Sequence, residues 1–278
     1  MIISKLEKPK IIFQDNYGDV LTNVQKHVEY CGRTCYNSRD KITDDSHVSF
    51  YNNIVDKKHL SVLEHAEVCV IYNKDLNYSL DNMLNMQNKL LGIMCPFRIK
   101  QLTDDRYLII TNARYYLEFL NPDDINFRQC ILPESLLDYD FRYIYIPNSR
   151  ITMEMRIPIA ITREFNRHRC LSISEMSTRY INLSKKGMCD YYLDFELKTD
   201  NDNDMLNKYI KSIYSVYEYL LDNGIPNQKA RGILPLNTIS QINYTGFMDQ
   251  WKDIILKRSI GAHPIAKQIA EDIKNLIW

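Results

Sequence analysis

No stretch of eighteen consecutive apolar residues occurs in this chain, and about that many are needed for a helix to cross a bilayer. The first residues, Met1 to Lys8, carry lysines with no long apolar run behind them, so neither a leader peptide nor an anchor is expected, and the protein reads as soluble and cytoplasmic. Cys-x-x-Cys is also missing. The seven cysteines, Cys31, Cys35, Cys69, Cys95, Cys130, Cys170 and Cys189, are odd in number and scattered, which argues against a disulfide scaffold or thiolate zinc site and for reduced thiols. Six histidines without Glu or Cys companions at ligand spacing give no metal site. Glycine is scarce, eight residues in 278, and none falls in a Gly-x-Gly-x-x-Gly or P-loop pattern. A Rossmann or Walker cradle is therefore not expected, and any nucleotide has to be held by side chains. Net charge is nil, with 35 basic and 35 acidic residues. No global field draws the chain to nucleic acid or an anionic membrane, so a local group of arginines becomes informative.

What is present suits one large α/β domain. Hydrophobic residues make up 45% and charged residues 25% of the chain, and twenty tyrosines add buried area with a polar tip. A strand is expected at Lys10 to Gln14, a helix over Leu21 to Tyr36, a second helix from Thr43, and a strand over Leu63 to Tyr72. Between about 73 and 143 lies an inserted subregion with its own periodicity: an apolar helix over Leu80 to Leu91, a strand at Tyr107 to Thr111, a helix from Asn112 and an acidic turn at Asp123-Asp124. Ile151 to Ile157 alternates as a half-buried strand, and Pro158 suits the start of a helix that ends near Arg167. The helix Met205 to Leu221 stops at Gly224 and Pro226, and two more, near Phe247 to Lys257 and Pro264 to Ile277, close the chain. No repeat of fixed period is visible in the sequence.

Arg167, His168 and Arg169 are consecutive, so their side chains fan apart and could grip two different anions. Ser172, Ser174, Ser177 and Thr178 follow, with Glu175 among them and Arg179 after. In a loop, those hydroxyls and main-chain N–H groups bracketed by guanidinium groups suit a phosphate. Taken alone, the tripeptide reads first as a solvated helix end complementing the dipole. Cys95 sits among Ile93, Met94, Pro96 and Phe97 and reads as an inert core thiol, with no Pro-Cys-His setting anywhere. Ser177 has no triad partners. His65 reads as a hydrogen-bond partner or a site residue, His263 as a cap, and His27 and His47 as surface residues.

Arg167-His168-Arg169, seven residues and then Ser177, continuing as Thr178-Arg179-Tyr180, resembles the signature of the flavin-dependent thymidylate synthases. His59-Leu60-Ser61-Val62-Leu63-Glu64-His65, Arg33-Thr34-Cys35-Tyr36, Ala230-Arg231-Gly232-Ile233-Leu234-Pro235 and Arg258 through Ala262-His263-Pro264 are similar to other motifs of that family, in its order. The resemblance implies a single domain over residues 1–278, of thymidylate synthase-complementing fold, with a mixed or antiparallel central sheet flanked by long helices. It also implies reductive methylation of dUMP, with methylenetetrahydrofolate as carbon donor, FAD as cofactor and NADPH as reductant, in a homotetramer with active sites at subunit interfaces. Carried over by residue, His59, Ser61, Arg167, His168, Arg169, Glu175 and Asp253 would hold FAD. Glu164, Arg167, Glu175, Met176, Ser177, Thr178, Arg179, Arg231 and Arg258 would hold dUMP. Arg258 would be catalytic, stabilising negative charge on the uracil as N3 loses its proton.

The chain departs from the family at Phe247 and Asp249, where Asn-x-Arg is common, and at Asp253, where Asn or His is common. Asn112-Ala113-Arg114, followed by Phe119-Leu120, resembles the missing motif. It either supplies the lost flavin contact, echoes an internal duplication, or is an ordinary helix cap with an exposed arginine. Two rival functions are a nucleic-acid-binding module, disfavoured by the missing basic stripe, and a flavin-free relative that only binds nucleotide.

Overall fold

A computed structural model describes residues 2–3, 5–15, 19–73, 83–86, 92–104, 106–120, 149–193, 195 and 199–278. The described elements run β1 (Ile2–Ile3), β2 (Lys10–Ile12), α1 (Val20–Tyr36), α2 (Ser46–Asp56), a 3-10 segment (Leu60–His65), β3 (Glu67–Asn73), β4 (Phe97–Gln101), β5 (Arg106–Asn112) and α3 (Ala113–Tyr115), which continues as a π turn to Leu120. Then come β6 (Arg150–Pro158), α4 (Ile159–Phe165), β7 (Ser172–Glu175), β8 (Tyr191–Tyr192), α5 (Asp200–Asp222), α6 (Asn227–Ala230), β9 (Ile239–Phe247), α7 (Met248–Ser259) and α8 (Pro264–Ile277).

Local chemistry sets several boundaries. Asp19 caps α1 by accepting from the Thr22 N–H at 2.9 Å, and the helix ends where Asn37 turns left-handed at φ 43°. Thr199 caps α5 in the same way, and His263 Nδ1 accepts from Ile265 N at 3.3 Å to start α8. Three boundaries differ from expectation. α2 starts at Ser46, not Thr43, because the Ser46 hydroxyl already accepts from Thr43 N and donates to Glu29. The stretch from Leu63 is a 3-10 turn up to His65 before β3 begins. Ser172–Glu175 is a strand, not a loop. Within the expected Leu80 to Leu91 helix, residues 83–86 are helical, while the rest of it and the Asp123-Asp124 turn lie outside the described residues.

Two antiparallel sheets organise these elements, in the orders β2-β6-β9-β7 and β3-β5-β4, beside a parallel two-residue pair β1-β8. The expected sheet is thus antiparallel in its main body. Leaving aside the edge strand β2, both sheets follow one plan. Two outer strands flank a central strand that is last in chain order, and a helix follows it directly. The registers coincide as well. Glu67 opposes Asn112 and Arg98 opposes Ile110 in one sheet; Arg150 opposes Phe247 and Ser172 opposes Thr245 in the other. Asn112 and Phe247 are therefore equivalent, as are Glu67 and Arg150, Arg98 and Ser172, and, on the helices, Arg114 and Asp249. The absent sequence period hid a repeat in three dimensions.

The larger core lies between the four-stranded sheet and α4, α7 and α8, with Met153, Phe165, Tyr244, Trp251, Ile254 and Ile273 almost fully buried. Each such large side chain contributes about 2–3 kcal/mol of hydrophobic burial. Trp251 also donates from Nε1 to the Ile151 carbonyl at 3.0 Å. On the opposite sheet face, beneath α1, a buried polar chain crosses the strands. His27 Nε2 hydrogen-bonds Thr152 Oγ1 at 3.0 Å, Thr152 bonds Thr245 Oγ1 at 2.7 Å, His65 Nδ1 bonds Thr245 Oγ1 at 2.7 Å, and His65 Nε2 bonds Ser174 Oγ at 2.9 Å. His27 and His47 are thus buried, contrary to their surface reading. His27 falls on the same face of α1 as Val24, Val28 and Cys31, a helical spacing that overrides its polarity.

Burial, which penalises the charged imidazole, lowers His27 to about 4 and His65 to about 3. Unfolding releases both to an ordinary value near 6.5. Stability is then flat above about pH 6.5 and falls as pH drops below it, by up to about 1.4 kcal/mol per pH unit for each histidine. Urea midpoints measured from pH 7.5 to 5 should fall below pH 6.5, and His65→Asn should flatten that fall. A wild-type midpoint constant to pH 5 contradicts the burial of these imidazoles.

Candidate active site

The segment after α4 distributes the three consecutive basic residues as their adjacency predicts: Arg167 and Arg169 are exposed and His168 is buried. His168 is held by α7. Arg258 Nε donates to His168 Nε2 at 2.9 Å, its Nη1 donates to Glu164 Oε2 at 2.9 Å, and its Nη2 donates to the Glu164 carbonyl at 2.7 Å. A guanidinium can only donate, so Nε2 accepts and the ring is neutral with its proton on Nδ1. Burial lowers the His168 pKa to about 4, with the Arg258 charge adding to the effect. Three of the five guanidinium N–H donors of Arg258 are engaged among the described residues. Asp253, one turn before Arg258, is tied to Lys257 at 2.6 Å.

Across α4 from that cluster, the ends of β7 and β9 and the α6 turn enclose a cavity of about 670 Å³. Glu175, Met176, Ser177, Thr178 and Arg231 all line it, so five expected ligand residues converge there. Each is fixed locally. Ser177 N donates to the Cys35 carbonyl at 2.9 Å, Arg231 Nη1 donates to Thr178 Oγ1 at 3.2 Å, and Asn166 Nδ2 donates to Glu175 Oε2 at 3.4 Å. Asn166 is itself set by the Tyr244 hydroxyl at 2.6 Å. Arg163, Asn166 and Ser240 also line this cavity, and sequence reasoning did not single them out. Arg163 and Asn166 flank Glu164 on one short helix, which was a usable signal; Ser240 lies over sixty residues downstream and carried none. Ser240 is 1% exposed, and its hydroxyl has no partner among the described residues.

Other expected residues stand apart. Arg169 lines a second cavity of about 310 Å³, together with Arg114, Arg150, Ser172 and Glu64. Arg179 lies over its neighbour Tyr180, 5.4 Å from the ring centroid, on a third and shallower face. Arg167, His59 and Ser61 are exposed and line none of these cavities. Asn112 is a true helix cap, accepting from Tyr115 N at 2.8 Å, and Arg114 pairs with Glu64 at 2.7 Å and Glu118 at 3.0 Å. No group of three or more metal-ligating side chains occurs among the described residues.

Because Arg258 adds to the depression of His168, Arg258→Gln should let the imidazole titrate above its value of about 4, read from histidine ring resonances in NMR. An unmoved titration shows that the contact is not formed in solution.

Residues 147–278 match the family of the thymidylate synthase complementing proteins. The chain is 33% identical over 96 residues to a flavin-dependent thymidylate synthase of Pseudothermotoga lettingae, covering 32% of this chain and 43% of that one. It is 30% identical over 150 residues to a probable flavin-dependent thymidylate synthase of Mycobacterium phage D29, covering 50% of this chain and 60% of the relative. The chain thus spans about half the length of the curated relatives it matches. Among solved structures, a UMP/dUMP methylase PolB from Streptomyces cacaoi bound with 5-Br dUMP is 23% identical, with a TM-score of 0.40 over 46% of this chain and 65% of that one. The similarity to the thymidylate synthase complementing proteins thus lies in residues 147–278 of the chain.

Proposed function

We propose that the chain is a flavin-dependent thymidylate synthase, which moves a one-carbon unit from methylenetetrahydrofolate to C5 of dUMP and uses FAD recharged by NADPH. The observation that carries this reading is the convergence of Ser177, Thr178, Arg231, Arg163 and Glu175 on one cavity of about 670 Å³, across α4 from the Arg258, Glu164 and His168 cluster. That volume suits a nucleotide. Two guanidinium groups and two hydroxyls offer only or mainly donors, the chemistry a phosphate monoester requires. The unpartnered Ser240 hydroxyl on the same wall calls for a polar ligand group.

Glu164 and His168 orient Arg258, and its guanidinium can stabilise negative charge on a uracil ring as N3 loses its proton, which raises electron density at C5. No protein nucleophile is required. Cys95 is fully buried and burial raises its pKa, so its thiol has neither access nor charge. Arg167, His168, Arg169, Glu175, His59, Ser61 and Asp253 are the flavin-holding set in this reading; when bound, FAD supplies the hydride that completes the methyl group. The exposure of Arg167, Arg179, His59 and Ser61 suits sites completed by other copies of the chain in a homotetramer.

The purified chain, given FAD, NADPH, methylenetetrahydrofolate and dUMP labelled with tritium at C5, should release the label and form dTMP. Arg258→Gln should lower turnover at least about a hundredfold, while Arg231→Ala should raise KM for dUMP about tenfold or more. A wild-type chain that binds dUMP but never FAD is a nucleotide-binding relative and not a synthase.

A further inference from the structure

Asn166 ends α4 and lines the cavity of about 670 Å³ with its side-chain amide. An amide is nearly symmetric in shape, so its two ends are told apart only by their partners. Here the partners differ. Tyr244, fully buried on β9, brings its hydroxyl to 2.6 Å from Oδ1, while Nδ2 lies 3.4 Å from Glu175 Oε2. The Thr162 carbonyl is also 3.2 Å from that hydroxyl, but it already accepts the Asn166 main-chain N–H at 2.8 Å. The single phenol hydrogen therefore goes to the shorter contact, at Oδ1. Burial, with the Glu175 charge adding to it, raises the Tyr244 pKa well above the ordinary value, so the hydroxyl stays a donor.

The direction of that amide matters to the cavity. Glu175 is the one carboxylate among the described residues that line it, set against the guanidinium groups of Arg163 and Arg231 and the hydroxyls of Ser177 and Thr178. An ionised carboxylate only accepts, so a ligand whose phosphate lies among those donors has to offer a donor of its own at Glu175. Turned the other way, the amide would set its oxygen against Glu175, acceptor against acceptor, and drive the carboxylate from its place. Register puts Glu175 opposite Ile242, two residues before Tyr244, so one strand sets both ends of this chain of contacts.

We propose that Tyr244 and Asn166 are positioning residues: the buried hydroxyl fixes the direction of the amide, and the amide holds Glu175 where it accepts a hydrogen bond from a nucleotide bound in the cavity. Tyr244 is not among the lining residues and acts only through Asn166. That the nucleotide is dUMP rests on the proposed function.

The test is equilibrium binding of dUMP to the full chain, with inorganic phosphate measured by its displacement of dUMP. Tyr244→Phe removes one oxygen and no packing; it should weaken dUMP about threefold to tenfold while phosphate changes less than about twofold. Asn166→Ala should match it, and the double variant should be no weaker than Asn166→Ala alone. Asn166→Asp has the same size and keeps an acceptor for Tyr244, but it turns a second oxygen toward Glu175 and should bind dUMP more weakly than Asn166→Ala. Unchanged dUMP affinity in Tyr244→Phe, equal losses of dUMP and phosphate, or an additive double variant overturns the positioning role and leaves dUMP binding, and with it the proposed function, standing. A wild type that binds no dUMP removes that function and the positioning role together.

Discussion

Arg150 and Glu67 bring two charges into the middle of this protein, and everything else is arranged around making that tolerable. An arginine 5% exposed is costly unless its donors are met, and burial, with the Arg98 charge adding to it, pulls its pKa down to about 10 despite the nearby Glu67 and Glu64. Its Nη2 donates to the Glu64 carbonyl and to Ser172 Oγ, and its guanidinium lies 4.9 Å from the Phe247 ring centroid. Glu67 accepts from Ser149 Oγ at 2.5 Å and from the Arg150 N–H. Both residues occupy the first position of their strands. One contact therefore sets where β3 and β6 begin and how the two sheets meet.

From that joint the useful geometry follows. Sheet register fixes Ser172 and Glu175 on β7, and β7 then divides two spaces: the cavity of about 310 Å³ beside Ser172, and the larger cavity beyond Glu175. The polar chain His65, Thr245, Thr152 and His27 pins the 3-10 segment and α1 onto the same strands. That linkage is why the residues of the His59 to His65 motif keep a fixed place relative to Glu175 although over a hundred positions separate them. A neutral His65, satisfied at both ring nitrogens, is a structural strut, which resolves one of the two roles its sequence allowed.

Much of the local structure was legible. Alternation along Ile151 to Ile157, the apolar stripe of α5 and Pro264 at the head of α8 marked those elements because period and capping act over a few residues. Ser172–Glu175 misled because serines favour loops by propensity, whereas here Ser172 and Ser174 are wanted for their hydroxyls inside the sheet. His27 misled by polarity when its helical position was the better guide. Among the candidate residues, Arg167 to Arg169 stood out in the sequence by adjacency, and of the three Arg169 alone lines one of the cavities described above. Arg163, Asn166 and Ser240 did not stand out, since ordinary residue types gain their meaning only from the cavity they share.

The sequence by itself determined which side chains are available: no glycine-rich phosphate loop, no Cys-x-x-Cys pair, and an arginine-rich motif set resembling one family. Those properties depend on which side chains exist and on spacings within one turn or one strand. Only the tertiary structure decided that Phe247 and Asp249 face Arg98, that Arg114 and Arg169 line one cavity, and that β3, β4, β5 and α3 repeat the plan of β6, β7, β9 and α7. Such pairings depend on strand register and on contacts across more than fifty residues. A chain with no visible sequence period cannot encode them in any short window, since equivalent positions have kept their geometry while exchanging their charge.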